Sequence, residues 1–570
     1  TATTTARPAM IIPDTIDPAY VTGTVDADMT DEDMLWAAAA FTQDPVAAFN
    51  MVKTFAYDPY KGSLRGTRGT LWGESGNALD QASLLIALLR AAGIPARYRH
   101  GSLDTAEAQT LLDSMFPITQ GAAGYLPTAV TLADPLNNAG LIALAQDHWW
   151  VEAYLPGQGW TNLDPTFPAA SLGDVAATPA TDGSDRIAEI PDALRHKVHM
   201  ELEIEQYNSF PIGGTNLSTS VPLTAAFAAS QVASKAVILG HLLTSNIPPG
   251  LVFSTVEHTY TPYFGINGDQ YVEFGESFSD LMTSFPLASH FTTAAWITFE
   301  LTDADGNSET FTREVKDSIG VATRLLGGVI DISSPTDNAP FISFEDAFVA
   351  DFLPNMIGNA SYAQRHEAEL QYDLVALAQA TEALPKDDLT TPEAQEQAGE
   401  IRYQGEIARS LLFSLTGLDF AFRSDALTAT LAENLRVNLF YDRSRVIIMH
   451  GTSMQDSAIR TVDLRNTTAQ AIVAPGQAES AARTAQWVKA VAESYFEVDA
   501  LRDASGQEPI TTARIFEAAA VQNIDLVYVT PGDLDLLDLY LPDPDAYGYA
   551  AAALLNGQEV LIPTKPVLID

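Results

Sequence analysis

The sequence predicts a multidomain α+β fold. Its 570 residues exceed the roughly 250–300 residues that one hydrophobic core usually supports. Hydrophobic residues make up 46% of the chain and charged residues 18%, a composition that excludes a mostly disordered protein. Stretches with helical periodicity and stretches with strand-like alternation follow one another in separate blocks. We therefore expect several domains, each with its own core.

The N-terminal third is predicted to hold an arm, a domain and a linker. Residues 1–29 show no clear period, so we expect an extended N-terminal arm. A helix-start pattern at Thr30–Asp33 opens the first folded domain, which we place at residues 30–170. Residues 171–195 are rich in Ala, Thr, Pro, Gly and Asp, which is typical of a linker or a long loop.

The middle of the chain changes from strand-like to helical composition. Apolar and polar residues alternate along His199–Gln206, as they do in a half-buried strand. We place a β-rich, sandwich-like domain at residues 196–335, with a hairpin turn at Asp303–Asn307 and a helix allowed at Thr224–Leu243. Residues 336–435 are rich in Ala, Glu, Gln and Leu, which favours a helical region.

The last segment, residues 436–570, alternates between the two patterns. Strand-like runs at Arg445–Met449 and Asp525–Thr530 are separated by helical patterns at Ala478–Ala500 and Thr512–Gln522. Alternation of this kind predicts an α/β domain with a largely parallel sheet.

The charge balance limits the partners and the location. Asp and Glu total 73 against 30 Lys and Arg, which gives a formal charge of −43. This argues against nucleic acid and anionic membranes as main partners, because both require positive surface. No uninterrupted apolar run reaches the roughly 18 residues of a transmembrane helix. We expect an extracellular or cell-surface protein, since acid-rich surfaces stay soluble at high ionic strength.

The chain contains no cysteine. Disulfides, thiolate metal sites and cysteine nucleophiles are therefore excluded. His196 and His199 are three residues apart in a predicted strand, which points them to opposite faces and argues against a metal pair. We expect neither a metal nor a cofactor.

One constellation carries a chemical argument. Residues Gly76–Arg90 form a helix-start pattern, in which Asn77 is a good N-cap and Asp80 can reach back to it. Farther along, His148 lies in one predicted strand and Asp164 ends the next. Adjacent strands that present His and Asp opposite a helix N-terminus have the layout of a papain-like triad.

This stretch resembles the transglutaminase-like core of bacterial transglutaminase-domain proteins, over roughly residues 30–170. The motifs that carry the resemblance are Gly76–Asp80, Leu88–Tyr98, His148–Ala153 and Trp160–Pro165. The resemblance implies a papain/transglutaminase-like fold for this domain. In that family the nucleophile is a Cys two residues after the helix-start Gly, which corresponds to Ala78. The family's His corresponds to His148 and its Asp to Asp164.

The resemblance thus implies a degenerate triad, because a methyl group cannot form a thioester. Our main hypothesis is a catalytically inactive, secreted structural or interaction protein at a bacterial cell surface, able to assemble into oligomers or filaments. Ala78 is either natural or an engineered replacement of Cys.

Two alternatives stay open. A cysteine-independent hydrolase or transferase would use His148 as general base, Asp164 to orient it and Asp80 as a further acid or base. The motifs Tyr57–Arg65 and Thr511–Ala518 also look like parts of large secreted bacterial proteins with RHS-type repeats. The chain would then be the N-terminal part of a longer surface protein or toxin.

A locally basic segment suggests where a partner binds. Between residues 51 and 100, seven basic residues stand against three acidic ones. Such a face could dock an acidic protein or a second copy of this chain. The competing interpretation is internal ion pairing and ordinary core packing. The candidate binding residues are Lys61, Arg65, Arg68, Arg97, Arg99, Trp149 and Trp150.

Overall fold

The computed structural model describes most of the chain. The described residues are 16–41, 44–116, 130–181, 185–212, 215–246, 255–266, 272–283, 290–319, 346–353, 421–430, 432–452, 458–463, 469–505, 509–555 and 557–569. Residues 1–15 of the predicted arm and the predicted helices between 360 and 420 lie outside these ranges.

The N-terminal domain packs helices around an antiparallel sheet. Its helices are Glu32–Ala40, Pro45–Val52, Gly66–Gly73, Ala78–Ala91, Thr105–Asp113 and Ala139–Gln146, with single 3₁₀ turns at Pro18–Val21, Pro135–Asn137 and Asp192–Leu194. The sheet runs in the order Gly159–Leu163, Asp147–Leu155, Ala96–Ser102, and its edge is extended by Thr178–Pro179 and Arg186–Ile187. A short parallel pair joins Ala56–Tyr57 to Ser75–Gly76.

The helix Ala78–Ala91, here called the site helix, is the centre of this domain. The predicted apolar stripe at Ala82, Leu85, Ile86 and Leu89 is buried as expected. The helix is buried on its other faces as well, because the first helices of the domain pack against it. Leu and Ala fill most positions of the helix, and its buried polar side chains, which include Asp80 and Arg90, have hydrogen-bond partners.

The arm and the linker differ from their predictions. Ala27 is fully buried within the core of the N-terminal domain, so this part of the arm is packed rather than extended into solvent. In the predicted linker, Thr178–Pro179 and Arg186–Ile187 form hydrogen bonds with the strand Ala96–Ser102. Residues 171–195 therefore belong to the N-terminal domain and do not separate it from the next one.

The middle of the chain forms one large antiparallel sheet. Its strands follow the spatial order Ala458–Asp463, Arg445–Thr452, Asp346–Leu353, Lys235–Asn246, Thr255–Ile266, Phe278–Thr283, His290–Thr302, Lys197–Ile212 and Thr215–Ala228. Val272–Phe274 pairs with Thr255–Ile266, and Ser308–Asp317 pairs with His290–Thr302. The helix allowed at Thr224–Leu243 is instead two strands around the short helix Ala229–Val232.

The sheet also reaches beyond the predicted boundary at residue 335. Asp346–Leu353, from the predicted helical region, pairs with Lys235–Asn246 and with Arg445–Thr452. The strand predicted at Arg445–Met449 thus belongs to the middle sheet. These strands join the sheet by pairing with residues far away in the sequence. Local periodicity does not predict such pairing.

One face of the sheet packs into a single core. Leu223 and Phe227 come from one end of the strand order, and Val446 and Ile448 from the other. All four lie in the same buried cluster, so the sheet must curve around it. The predicted sandwich-like arrangement is thus replaced by one hydrogen-bonded sheet that bends over its own core.

The C-terminal region is mixed, but its described strands are not parallel. Val437–Phe440 pairs antiparallel with Gln470–Val473, and Leu526–Val529 pairs antiparallel with Val560–Pro563. The prediction of a largely parallel sheet is therefore wrong for the described residues. The helices are Ser480–Ser505, Thr512–Val521, Asp535–Tyr540 and Pro544–Leu555, and residues 421–430 and 432–435 are also helical.

A buried ionic cluster fixes the longest of these helices to the middle sheet. Arg445 of the sheet lies 2.6 Å from the Asp425 carboxylate, and Lys489 of the helix lies 2.7 Å from it. Glu493 is 3.1 Å from Lys489. Burial raises the pKa of Asp425, but Arg445 and Lys489 outweigh it and lower that pKa overall.

Among the described residues, no helix combines the length and apolar character needed to cross a membrane.

The first testable prediction concerns acid stability. His241 is buried beside Tyr260 and Phe278, and its Nε2 has no hydrogen-bond partner among the described residues. Burial lowers the pKa of His241 from 6.5 to about 3. As the pH falls, His241 is therefore protonated in the unfolded chain before it is protonated in the folded protein. The free energy of unfolding keeps its full value above about pH 6.5 with respect to His241. It falls as the pH drops below this value, by about 2 kcal/mol at pH 5.

We expect His241→Phe to remove this part of the acid sensitivity. The unfolding temperature measured between about pH 7.5 and pH 5 should fall less in this variant than in the unmodified protein. His199→Phe is the control, because the His199 side chain lies on the same sheet and is 35% exposed. Equal acid sensitivity of the unmodified protein and the His241 variant would contradict the prediction.

Candidate functional site

The N-terminus of the site helix is capped as predicted. The Asn77 Oδ1 atom accepts the backbone N–H of Asp80 at 2.8 Å. The Asn77 amide also donates to the carbonyl oxygens of Tyr60 and Gly62, at 2.9 and 2.7 Å. One side chain thus closes the helix end and holds the neighbouring loop, residues 58–66, here called the clamp loop.

Asp80 does not reach back to the cap, and this differs from the capping-box prediction. Its carboxylate is fully buried and turns to the clamp loop. The donors within the described residues are the Tyr60 hydroxyl at 2.6 Å, the Ser63 hydroxyl at 3.1 Å, and the backbone N–H groups of Leu64, Arg65 and Gly66 at 3.1, 2.9 and 3.1 Å.

These contacts bear on the protonation state of Asp80. Burial raises the pKa of its carboxyl overall, and the hydrogen bonds from Tyr60, Arg65 and Leu64 offset part of this rise. Every hydrogen bond named above is donated to the carboxyl, so the arrangement suits the ionised form at neutral pH. Asp80 is consequently engaged as a structural acceptor rather than free to exchange protons with a ligand.

The clamp loop joins the N-terminal domain to the middle sheet. The single Ser63 O–H is shared between two buried carboxylates, since its Oγ lies 2.7 Å from Asp26 Oδ1 and 3.1 Å from Asp80 Oδ1. Asp26 also accepts the Ser230 hydroxyl at 3.0 Å and the Arg195 Nε at 2.8 Å. Ser230 belongs to the short helix between two strands of the middle sheet. The two carboxylates therefore connect both domains through one polar network.

Apolar packing reinforces this connection. Tyr60 and Leu64 of the clamp loop lie in the core cluster of the middle sheet. Gly66 has φ +55°, and a Cβ there would lie 2.6 Å from the Ser230 Cβ, so a larger residue would be both strained and crowded. The backbone of the loop thus approaches the second domain as closely as glycine permits.

The structure brings His148 and Asp164 together. The His148 Nε2 is 2.9 Å from Asp164 Oδ2, and the Thr166 hydroxyl donates to Asp164 Oδ1 at 2.7 Å. Both members of the pair are fully buried. The His148 Nδ1 has no hydrogen-bond partner among the described residues. This nitrogen is the atom through which a general base would act.

Strand alternation places the imidazole on a definite face of the sheet. Trp149, Val151 and Ala153 pack in the cluster of the site helix. His148 packs beside Trp150, which belongs to a different cluster, at a ring distance of 6.3 Å. The imidazole is therefore on the strand face opposite to the side chains that contact the middle of the site helix.

A cavity of about 270 Å³ lies beside Ala78. The clamp-loop residue Lys61 and Asp305, from the turn at Asp303–Asn307 of the middle sheet, form a salt bridge at its wall. His148, Asp164 and Asp80 do not line it. Its wall includes Tyr57, Tyr60, Lys61, Asn77, Ala78, Leu144, Asp147, Trp149 and Asp305.

The charged groups of this cavity are already paired. Asp147 Oδ1 lies 2.7 Å from the Nε2 of His100, whose ring stacks on Trp149. Burial raises the pKa of Tyr57, so its phenol is neutral at physiological pH. Among the described residues, no group of three or more metal-ligating side chains is arranged around a common point.

The predicted basic face is neutralised within the fold. Arg65 and Arg99 are buried, and Trp150 is completely covered and donates its indole N–H to Asn162. Trp149 is also largely buried, although it borders the cavity. These contacts match the competing interpretation of internal ion pairing. The partners are Asp305 for Lys61, Asp58 for Arg65, Asp31 for Arg68, Glu152 for Arg97, and Glu152 and Asp185 for Arg99.

The residues that join the two domains could not be predicted from the sequence. Nothing in the sequence distinguishes the buried Asp26 from the exposed Asp17 and the half-buried Asp28 of the same arm. The roles of Tyr60 and Ser63 also lacked a local signal, because their partners lie in other elements.

Comparison with known proteins supports the resemblance for one part of the chain. Residues 30–165 match the transglutaminase-like superfamily. No curated protein and no solved structure matches the chain. The protein therefore contains a transglutaminase-like domain, and the matched residues lie within the predicted range of 30–170.

The second testable prediction concerns the Asp80 carboxylate. In Asp80→Asn an N–H₂ group replaces one acceptor oxygen and faces donors of the clamp loop. We expect a loss of about 4 kcal/mol in the free energy of unfolding, measured by denaturant titration. Asp147→Asn is the matched control, since the Asp147 side chain is 45% exposed, and should cost less than about 1 kcal/mol. Equal effects would show that the Asp80 contacts contribute little.

Proposed function

We propose that the transglutaminase-like domain is catalytically inactive and serves as a structural and interaction module. The observation that carries this proposal is Ala78, a residue without any reactive group, at the first position of the site helix. The chain has no cysteine that could replace it. Acyl transfer through a covalent intermediate needs a nucleophile at the helix start, where the free N–H groups stabilise an anion.

Neighbouring hydroxyl groups do not supply a substitute. Ser83 donates to the carbonyl of Leu79 at 2.9 Å and accepts the Tyr98 hydroxyl at 3.0 Å. Ser75 is buried and accepts a guanidinium N–H of Arg65. Both hydroxyls are thus committed to the fold, which supports the inactive interpretation.

The hydrogen bonds of the Asp80 carboxylate support the same proposal. A helix N-terminus is suited to stabilising an activated nucleophile. Here the first turn of the site helix instead carries a carboxylate that orders the clamp loop. The same end of the helix then holds the two domains together, which is a structural task.

The competing hypothesis is a cysteine-independent hydrolase or transferase. One observation favours it, the retained His148–Asp164 pair, whose His148 Nδ1 has no hydrogen-bond partner in the part of the chain that the structure describes. Against it, the pair is fully buried and neither residue lines the cavity beside Ala78. Asp80, the third group of this hypothesis, is surrounded by hydrogen-bond donors of the clamp loop. A substrate would have to displace packed side chains before it reached the imidazole.

The same proposal includes a secreted or cell-surface location and assembly with a protein partner or with further copies of the chain. The formal charge of −43 supports it through solubility at high ionic strength. The internal pairing of the basic segment means that such an assembly would have to use other surfaces.

The third testable prediction compares the unmodified protein with designed variants. An amine donor and a glutamine peptide, and separately an activated ester, are offered as substrates. We expect no turnover above that of His148→Ala. Turnover by the unmodified protein that disappears in His148→Ala would overturn the inactive interpretation in favour of the enzyme.

A cysteine variant tests the position of Ala78 directly. Since the chain has no other cysteine, Ala78→Cys should react with iodoacetamide at a single site, because residue 78 lines the cavity. Ala82→Cys is the matched control on the same helix, where the side chain is fully buried, and should stay unlabelled in the folded protein. Equal labelling of both variants would contradict the assigned geometry.

A further inference from the structure

A large groove in the C-terminal region is separate from the site described above. It has a volume of about 970 Å³, at the upper end of the ~300–1,000 Å³ that is usual for ligand pockets. One wall is the helix Ser480–Ser505, and the others are the start of Thr512–Val521 and the paired strands Leu526–Val529 and Val560–Pro563.

Aromatic side chains from different elements line this groove. Trp487 of the long helix is 50% exposed, and Tyr528 of the paired strands is 43% exposed. Phe516 adds a further ring from the following helix. Large rings open to solvent inside a concave surface leave apolar area that a ligand can cover.

Polar side chains lie beside the Tyr528 ring and contact one another. The Tyr528 hydroxyl donates to Glu559 at 2.6 Å, and the Arg483 guanidinium lies 5.5 Å from the centre of the Tyr528 ring. Arg483 also reaches to 3.5 Å from Glu559, which links the helix wall to the strand wall. The groove is thus partly organised before any ligand binds.

The charges on the floor of the groove are balanced. Lys489 and Glu493 line it and belong to the buried ionic cluster with Asp425 and Arg445. The charged residues of the lining are two basic ones, Arg483 and Lys489, and two acidic ones, Glu493 and Glu559. Their formal charges cancel, in contrast to the chain as a whole.

We propose that this groove binds a neutral oligosaccharide. Sugar rings present C–H faces that pack on the exposed Trp487 and Tyr528 rings, and their hydroxyls match the donors and acceptors of Arg483 and Glu559. A polyanion would meet a balanced groove on a chain of −43, and a lipid tail would meet four charged side chains. A neutral ligand with both apolar faces and many hydroxyls fits this lining best.

The test is a titration of the full chain with three neutral tetrasaccharides, made of β-1,4-linked glucose, α-1,4-linked glucose and β-1,4-linked N-acetylglucosamine. Binding is followed by calorimetry and by tryptophan fluorescence. We expect at least one sugar to bind and Trp487→Ala to weaken its binding about tenfold or more. Trp487→Phe keeps a ring in place and should lose less, which separates lost stacking from lost folding.

Tyr549→Ala is the matched control. Tyr549 is 71% exposed on the nearby helix Pro544–Leu555 and is not part of the groove lining, so its loss should leave the affinity unchanged. Failure of all three sugars to bind at millimolar concentration overturns the proposal. Binding that survives Trp487→Ala and Tyr528→Ala, or that is lost equally in Tyr549→Ala, also overturns it.

Discussion

The Asp80 carboxylate is the interaction on which the arrangement of the first two domains depends. It is fully buried at the start of the site helix and is surrounded by hydrogen-bond donors from the clamp loop. A buried charge is tolerated only where such donors replace water. Because the clamp loop carries Tyr60 and Leu64 into the core of the middle sheet, the same contacts hold both domains in one packed unit. Asp26 and its partner Arg195 complete the network from the arm and the former linker.

The same contacts bear on the proposal that the transglutaminase-like domain is inactive. The scaffold keeps a capped helix start, a His148–Asp164 pair and a cavity beside Ala78. The elements are nevertheless separated, since the pair is sealed in the interior and the cavity is walled by residues already paired with one another. The Asn77 and Asp80 side chains at the helix start form hydrogen bonds with the clamp loop. Domain assembly thus accounts for the Asp80 contacts at this helix start, and the proposed inactive role rests on Ala78 beside them.

Local signals allowed a good part of this to be predicted from sequence. The Asn77 cap, the apolar stripe of the site helix and the proximity of His148 to Asp164 follow from short-range spacing and from the family resemblance. The direction of the Asp80 side chain did not, because its partners lie in the clamp loop. Long-range pairing also decided that Asp346–Leu353 and Arg445–Thr452 join the middle sheet. The Lys61–Asp305 pair, 244 residues apart in sequence, shows why a count of local charge overstated the basic face.

Hydrogen exchange of the clamp loop tests the central claim most directly. The backbone N–H groups of Leu64, Arg65 and Gly66 bond to Asp80. Leu64 and Arg65 precede the helix Gly66–Gly73, and Gly66 is its first residue, whose N–H has no acceptor within the helix. If this carboxylate joins the two domains, these amides should exchange as slowly as the strands Lys197–Ile212 and His290–Thr302 and through the same cooperative opening. Exchange of the loop at the rate of an unprotected peptide, while those strands stay protected, would contradict the account.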